Sequence, residues 1–115
     1  MFTIKRIYEP ANEKDGYRIL IDRLWPRGIR KEIAALDLWL KDIAPTPELR
    51  TWFGHKPERY AEFAARYQDE LSSNPAVQPL QTIARDNPTV TLLYAAHDPN
   101  YNHAKVLLDF LQHSN

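Results

Sequence analysis

Residues 89–111 read TVTLLYAAHDPNYNHAKVLLDFL, and this stretch decides the fold class of the chain. The apolar run at 90–96 predicts a buried β-strand. The apolar residues beyond it recur at the spacing of one helix face: Ala104, Leu107, Leu108 and Leu111. Asp98 is the predicted N-cap of that helix and Pro99 its first residue, where a missing N–H group costs no intrahelical hydrogen bond. The stretch therefore predicts a strand, a loop and a helix, with a ligand crevice at the loop.

The segments upstream complete an α/β pattern. Alternating residues predict a strand near a sheet edge at 2–7 and a more central strand at 17–22. A short helix is predicted around residues 30–35. Residues 36–41 fit a strand or a helix, because Trp39 suits both periodicities.

Three helices are predicted in the middle of the chain. The first begins after the cap Thr46 and ends at Gly54, just before His55, a minor candidate for a site. The second begins near Pro57, and the third ends at Asp86. Strands, then helices, then a strand and a helix predict a small α/β protein with a mostly parallel sheet flanked by helices.

The composition is that of an ordinary globular protein. We expect a single domain over residues 1–115, with 43% hydrophobic and 26% charged residues. Lys and Arg number 15, as do Asp and Glu, so no overall field attracts nucleic acid or an anionic membrane. The absence of cysteine excludes disulfides and thiolate catalysis. With no signal-peptide pattern and no membrane-spanning run, we expect a cytoplasmic protein.

The first polar cluster follows the second predicted strand and reads DRLWPRG at 22–28. Arg23, Trp25 and Arg27 are candidate ligand-binding residues, and Asp22 is a candidate catalytic residue. Guanidinium groups bind phosphate or carboxylate through paired hydrogen bonds, and a turn at the mouth of a sheet lets them converge without deep burial. The alternative is structural, with Arg23 paired to an acid and Trp25 packed.

The second polar cluster lies in the loop after the last predicted strand. Five of its residues are candidates for a site: His97, Asp98, Asn100, Asn102 and His103. An imidazole beside a carboxylate, with a second imidazole inside the following helix, suits a general base and its orienting group, and the two asparagines suit ligand binding. No metal site is assigned, because the spacing of these residues matches no known ligand pattern. The structural alternative makes Asp98 or Asn100 a helix cap and bonds His103 to the loop.

Four segments resemble the short bacterial proteins of the DUF488 family, in its YeaO-like branch. They are DRLWPRG at 22–28, DLWLKD at 37–42, LRTWFGH at 49–55 and LLYAAHD at 92–98. The likeness extends over residues 4–111, and the DRLWPRG signature is specific. The resemblance implies an α/β fold and supplies no established activity.

One departure from longer relatives bears on the chemistry. The resemblance implies that they carry a cysteine where Tyr94 stands, and Cys-His-Arg where this chain has Asn102, His103 and Ala104. Only His103 is shared, so the chain cannot use a thiolate in the same way. This departure favours a binding role or a different mechanism.

The leading hypothesis joins both clusters in one site for an anionic, phosphate-bearing small molecule, with hydrolysis or group transfer as an option. Arg23 and Arg27 hold the anion together with the amides of the last helix, and Trp25 walls the pocket. A histidine of the second cluster, with Asp22 or Asp98, moves protons. The hypothesis requires the two clusters to meet.

Two alternatives stay open. One is a non-catalytic module that binds a protein or, with less support, nucleic acid; the other is a degenerate relative retained for its fold. A binding module predicts that Trp25, Trp39 or Trp52 lies exposed in an apolar patch, with Arg27 and Arg30 facing outward. The cofactor and the oligomeric state are left unassigned.

Overall fold

The computed structural model describes residues 1–113 of the chain. Its four strands are β1 (Phe2–Arg6), β2 (Tyr17–Leu20), β3 (Leu38–Trp39) and β4 (Val90–Tyr94). Its five α-helices are α1 (Lys31–Ala34), α2 (Pro47–Phe53), α3 (Tyr60–Ser72), α4 (Val77–Asp86) and α5 (His103–Gln112). Short 3-10 turns lie at Glu13–Asp15, Lys41–Ile43 and Pro57–Arg59. The predicted single domain over 1–115 includes residues 114 and 115, which lie outside the described part.

The strands form one parallel sheet in the order β1-β4-β2-β3. This confirms the predicted α/β class with a sheet flanked by helices. β4, the predicted apolar strand, lies between β1 and β2 and is buried at all five residues. β1 lies at one edge, as its pattern predicts, and residues 36–41 supply the other edge strand, β3. All four strands therefore end at the same side of the molecule.

Side chains from both faces of the sheet are buried. Ile19 and Leu92 point into the larger core, which also contains residues of α2, α3 and α5. Leu20 and Leu93 point to the opposite face, into a smaller core with Ile7 and the α1 residue Ala34. This two-sided burial explains why β2 and β4 read as nearly continuous apolar runs.

The helix α2 has the predicted bounds. The Thr46 side chain accepts a hydrogen bond from the amide of Leu49, Pro47 is the first helical residue, and Gly54 ends the helix in the left-handed conformation. In α4, Pro79 is the third residue, so its missing N–H group removes no intrahelical hydrogen bond.

Among the helices of residues 1–113, none has the length and hydropathy that a bilayer-spanning helix needs.

The predicted start of the last helix is wrong. α5 begins at His103, and its N-cap is Asn102, whose side chain accepts a hydrogen bond from the amide of Lys105. Asp98 instead accepts hydrogen bonds from the amides of Asn100 and Tyr101 at 2.8 and 3.1 Å. Its carboxylate thus closes a local turn in the loop, which competes with helix formation there.

Candidate functional site

A cavity of about 540 Å³ opens where β2 and β4 end. Its walls come from the loop after β2, the segment that enters and leaves α2, and the loop between β4 and α5. In parallel α/β sheets this edge is where ligands bind. The position agrees with the crevice expected from the sequence.

The cavity brings the two polar clusters together. Its lining includes every predicted site residue except Asn100: Asp22, Arg23, Trp25, Arg27, His97, Asp98, Asn102 and His103. The topology accounts for this meeting, because β2 and β4 are hydrogen-bonded neighbours that run in the same direction. Asn100 is exposed and lies outside the lining.

Asp22 joins the two clusters directly. Its Oδ2 atom accepts a hydrogen bond from the amide of Ala95 at 3.0 Å, and its Oδ1 atom lies 3.1 Å from Nε2 of His103. Nε2 also lies 3.3 Å from the carbonyl of Ile21, so it is within hydrogen-bond distance of two acceptors. Oδ1 itself is buried beside the imidazole.

Arg23 is largely engaged by the protein itself. Its guanidinium group donates to the carbonyls of Ala44 and Pro45 at 3.2 to 3.4 Å, and Nη1 lies 3.8 Å from the exposed carboxylate of Asp42. Arg23 thus holds the segment before α2 against the loop after β2. The structural alternative applies to part of this side chain, and the acid that it pairs with is Asp42.

Trp25 is part of the smaller core as well as the cavity wall. Its indole N–H donates to the carbonyl of Ile29 at 2.7 Å, and its ring packs edge-on against Trp39 with centroids 5.3 Å apart. The indole N–H of Trp39 donates to the carbonyl of Asp22 at 2.7 Å. These contacts fix the backbone from which the first cluster projects.

Two arginines of the cavity have side chains without a polar partner in the described part of the chain. The guanidinium groups of Arg27 and Arg50 make no hydrogen bond or ion pair with residues 1–113, and both side chains belong to exposed residues of the lining. Sequence reasoning missed Arg50 as a site residue and treated His55, also in the lining, as a minor candidate. The signal for both lay in the LRTWFGH segment at 49–55.

Many polar groups of the loop between β4 and α5 form hydrogen bonds within the loop or with the start of α5. Hydrogen bonds from the amides of Asn100 and Tyr101 hold the pKa of Asp98 below its usual value. Asn102 is buried, caps α5 and donates to the Asp98 carbonyl at 2.9 Å, so its side chain is committed to the fold. His97 is exposed and makes no polar contact within residues 1–113. Within those residues, no group of three His, Cys, Asp or Glu side chains is placed to hold a metal ion.

Comparison with known proteins identifies a protein family whose model matches the whole sequence. The family model described as "Inactive DUF488-N3 subclade" matches residues 1–115. The chain is 49% identical over 109 residues to the uncharacterized protein YeaO of Escherichia coli K12, covering 94% of each chain. It is 43% identical over 108 residues to the uncharacterized protein Rv3073c of Mycobacterium tuberculosis H37Rv, covering 94% of this chain and 91% of the relative. No solved structure matches.

Proposed function

Because the chain belongs to the DUF488 family, in the subclade described as inactive, we propose that it binds a phosphate-bearing small molecule without transforming it. The relatives supply no ligand, since those compared are uncharacterized. The proposal therefore depends on the cavity between the two polar clusters.

The free guanidinium groups of Arg27 and Arg50 carry the proposal. They come from two separate segments and line one cavity, with no acceptor for either group within residues 1–113. A phosphate offers several acceptor oxygens, and guanidinium groups bind it through paired, charge-assisted hydrogen bonds. Arg23, already fixed on two carbonyls, adds positive charge to the same cavity.

Of the two kinds of anion donor expected from the sequence, the proposal keeps the arginine side chains and drops the amides at the start of the last helix. The amides of Asn100 and Tyr101 already donate to Asp98, and the amide of Lys105 donates to Asn102. The start of α5 therefore has fewer free donors than an uncapped helix.

Hydrolysis or group transfer is the second candidate function. The pair formed by Asp22 and His103, at 3.1 Å, is the observation that favours it, since a carboxylate can orient an imidazole that acts as a base. The description of the subclade as inactive and the absence of cysteine favour binding alone.

A macromolecular partner has less support. Trp25, Trp39 and Trp52 are all partly buried, and no exposed tryptophan patch forms within residues 1–113. The ring of Trp52 lies beneath the guanidinium groups of Arg59 and Arg66. Arg27 is exposed and still lines the cavity, whereas Arg30 lies outside the lining.

Calorimetric titration with inorganic pyrophosphate tests the proposal. We expect saturable binding that Arg27→Gln and Arg50→Gln each weaken by about tenfold, the loss of one charge-assisted hydrogen bond. Arg30→Gln is the matched control, because Arg30 is an exposed arginine near Arg27 that does not line the cavity. Binding that survives both cavity substitutions would contradict the proposal. Release of phosphate that depends on His103 would favour the catalytic candidate instead.

A further inference from the structure

Arg27 and Gly28 are the two central residues of a tight turn in the loop after β2. The amide of Ile29 donates to the carbonyl of Pro26 at 3.4 Å, and Gly28 has a φ of 80°. A positive φ at the third residue alone is typical of a type II turn, which favours glycine there. The carbonyl of Arg27 takes no part in the hydrogen bond that closes this turn, so it can accept one from elsewhere.

Tyr8 supplies the donor for that carbonyl. Its hydroxyl donates to the Arg27 carbonyl at 2.9 Å, and its ring centroid lies 4.9 Å from the guanidinium carbon of Arg6. Arg6 in turn donates to the carbonyls of Ala95 and Ala96, just after β4, at 3.2 and 2.9 Å. Arg6 and Tyr8 therefore link the loop after β4 to the turn that carries Arg27.

The orientation of the peptide between Arg27 and Gly28 decides where the Arg27 side chain is presented. The guanidinium group has no polar partner within residues 1–113, so the backbone that carries it sets its position at the cavity. Rotation of this peptide converts a type II turn into a type I turn, and glycine permits both. The bond from Tyr8 stabilises the observed orientation, because rotation would turn the carbonyl away from the hydroxyl.

From this linkage we infer that Tyr8 is a positioning residue of the anion site, which fixes the turn that presents Arg27 to the ligand. The inference rests on the proposed function. Tyr8 is exposed by 42%, so water can replace its hydroxyl at the Arg27 carbonyl. Loss of the hydroxyl therefore changes the affinity for the anion more than it changes the stability of the fold.

A double-mutant cycle tests the inference, by calorimetric titration of Tyr8→Phe, Arg27→Gln and the double variant with inorganic pyrophosphate. We expect Tyr8→Phe to weaken binding about fivefold on its own, the effect of one hydrogen bond, and to change nothing when Arg27 is already substituted. Tyr17→Phe is the matched control, since its hydroxyl makes no hydrogen bond within residues 1–113 and Tyr17 lies outside the cavity lining. Thermal unfolding of Tyr8→Phe should stay close to that of the wild type.

The outcomes separate the inference from the proposed function. If Arg27→Gln weakens binding and Tyr8→Phe does not, the positioning role is wrong and the anion site stands. An equal loss with and without Arg27 would mean that the Tyr8 hydroxyl acts independently of Arg27, which also overturns the inference. A Tyr8→Phe protein that does not fold would overturn it too, because the hydroxyl would then be structural. If the wild type does not bind pyrophosphate, both proposals are overturned.

Discussion

The Oδ2 atom of Asp22 accepts a hydrogen bond from the amide of Ala95 at 3.0 Å. This bond joins the second residue after β2 to the first residue after β4, and the two are separated by most of the chain. It continues the contact between the two strands past the end of their backbone ladder, where Ile21 donates to Leu93 at 3.0 Å. The bond fixes the start of the loop that carries the second polar cluster beside Asp22 of the first.

Asp22→Ala should destabilise the fold, since it leaves the amide of Ala95 without its acceptor. We expect a loss of about 2 kcal/mol in the free energy of unfolding, measured by urea denaturation. Asp42→Ala is the comparison, because Asp42 has a side chain 87% exposed and pairs with Arg23 at 3.8 Å. That substitution should cost less than about 0.5 kcal/mol. Equal losses would show that the bond to Ala95 contributes little.

Asn102→Ala should cost about 1 to 2 kcal/mol, because it removes the N-cap of α5. Asn100→Ala should change the free energy of unfolding by less than about 0.5 kcal/mol, since Asn100 is exposed and its side chain makes no hydrogen bond within residues 1–113. Thermal or urea unfolding of the two variants makes the comparison. A larger loss for Asn100→Ala would place the start of the helix earlier than the structure does.

The start of α5 shows what the sequence could and could not predict. The apolar spacing of Leu107 and Leu111 identified the helix, because burial of one face imposes a fixed period. The first residue of the helix depends on which side chain takes the amides of Asn100 and Tyr101. Asp98 followed by proline is a good cap signal, and the same carboxylate can close a turn. Sequence alone does not decide between these two local structures.

Arg23 and Arg27 should respond differently to substitution. Arg23→Gln should lower the free energy of unfolding by about 1 kcal/mol, because the guanidinium bonds to the Ala44 and Pro45 carbonyls are lost. Arg27→Gln should stay within about 0.5 kcal/mol of wild type, since that side chain has no partner within residues 1–113. Urea unfolding without ligand measures both. A stability loss for Arg27→Gln would mean that its side chain is engaged by the protein.

The side of the sheet on which the two clusters lie was predictable, because any parallel sheet places the ends of its strands on one side. Whether the clusters meet depends on strand order, which the sequence does not reveal and which makes β2 and β4 neighbours here. The engagement of Arg23 depends on carbonyls of residues 44 and 45, which come near only in the folded chain. Arg50 and His55 reach the cavity because α2 packs beside it, and no periodicity in the sequence indicates that contact.

Because of Asp15, the free energy of unfolding should depend on pH in the acidic range. Burial raises the pKa of Asp15, but hydrogen bonds from Lys5, the Asn12 amide and Arg18 outweigh it and lower the pKa below 3.8. The native state therefore favours the carboxylate, so its contribution is complete above pH 3.8 and is lost as the pH falls below that value. Asp15→Ala should cost about 3 kcal/mol at pH 7 and less at low pH, measured by urea unfolding.

The exposed Asp86→Ala provides the control for this titration, because its stability difference from wild type should not change with pH. If Asp15→Ala lowers the free energy of unfolding equally at pH 7 and well below pH 3.8, the prediction is wrong. The ion pairs of Asp15 with Lys5 and Arg18 would then contribute no pH-dependent stability.

The most direct test of the anion site is a titration of the ¹⁵N-labelled protein with inorganic pyrophosphate, followed by NMR of the backbone amides. We predict saturable shifts in the three segments that form the cavity, at residues 22–27, 44–55 and 95–103. Arg27→Gln should weaken these shifts, and Arg30→Gln should not. Saturable shifts at the opposite end of the sheet, around Gly16 and Thr89, or no saturable shifts at all, would contradict the account.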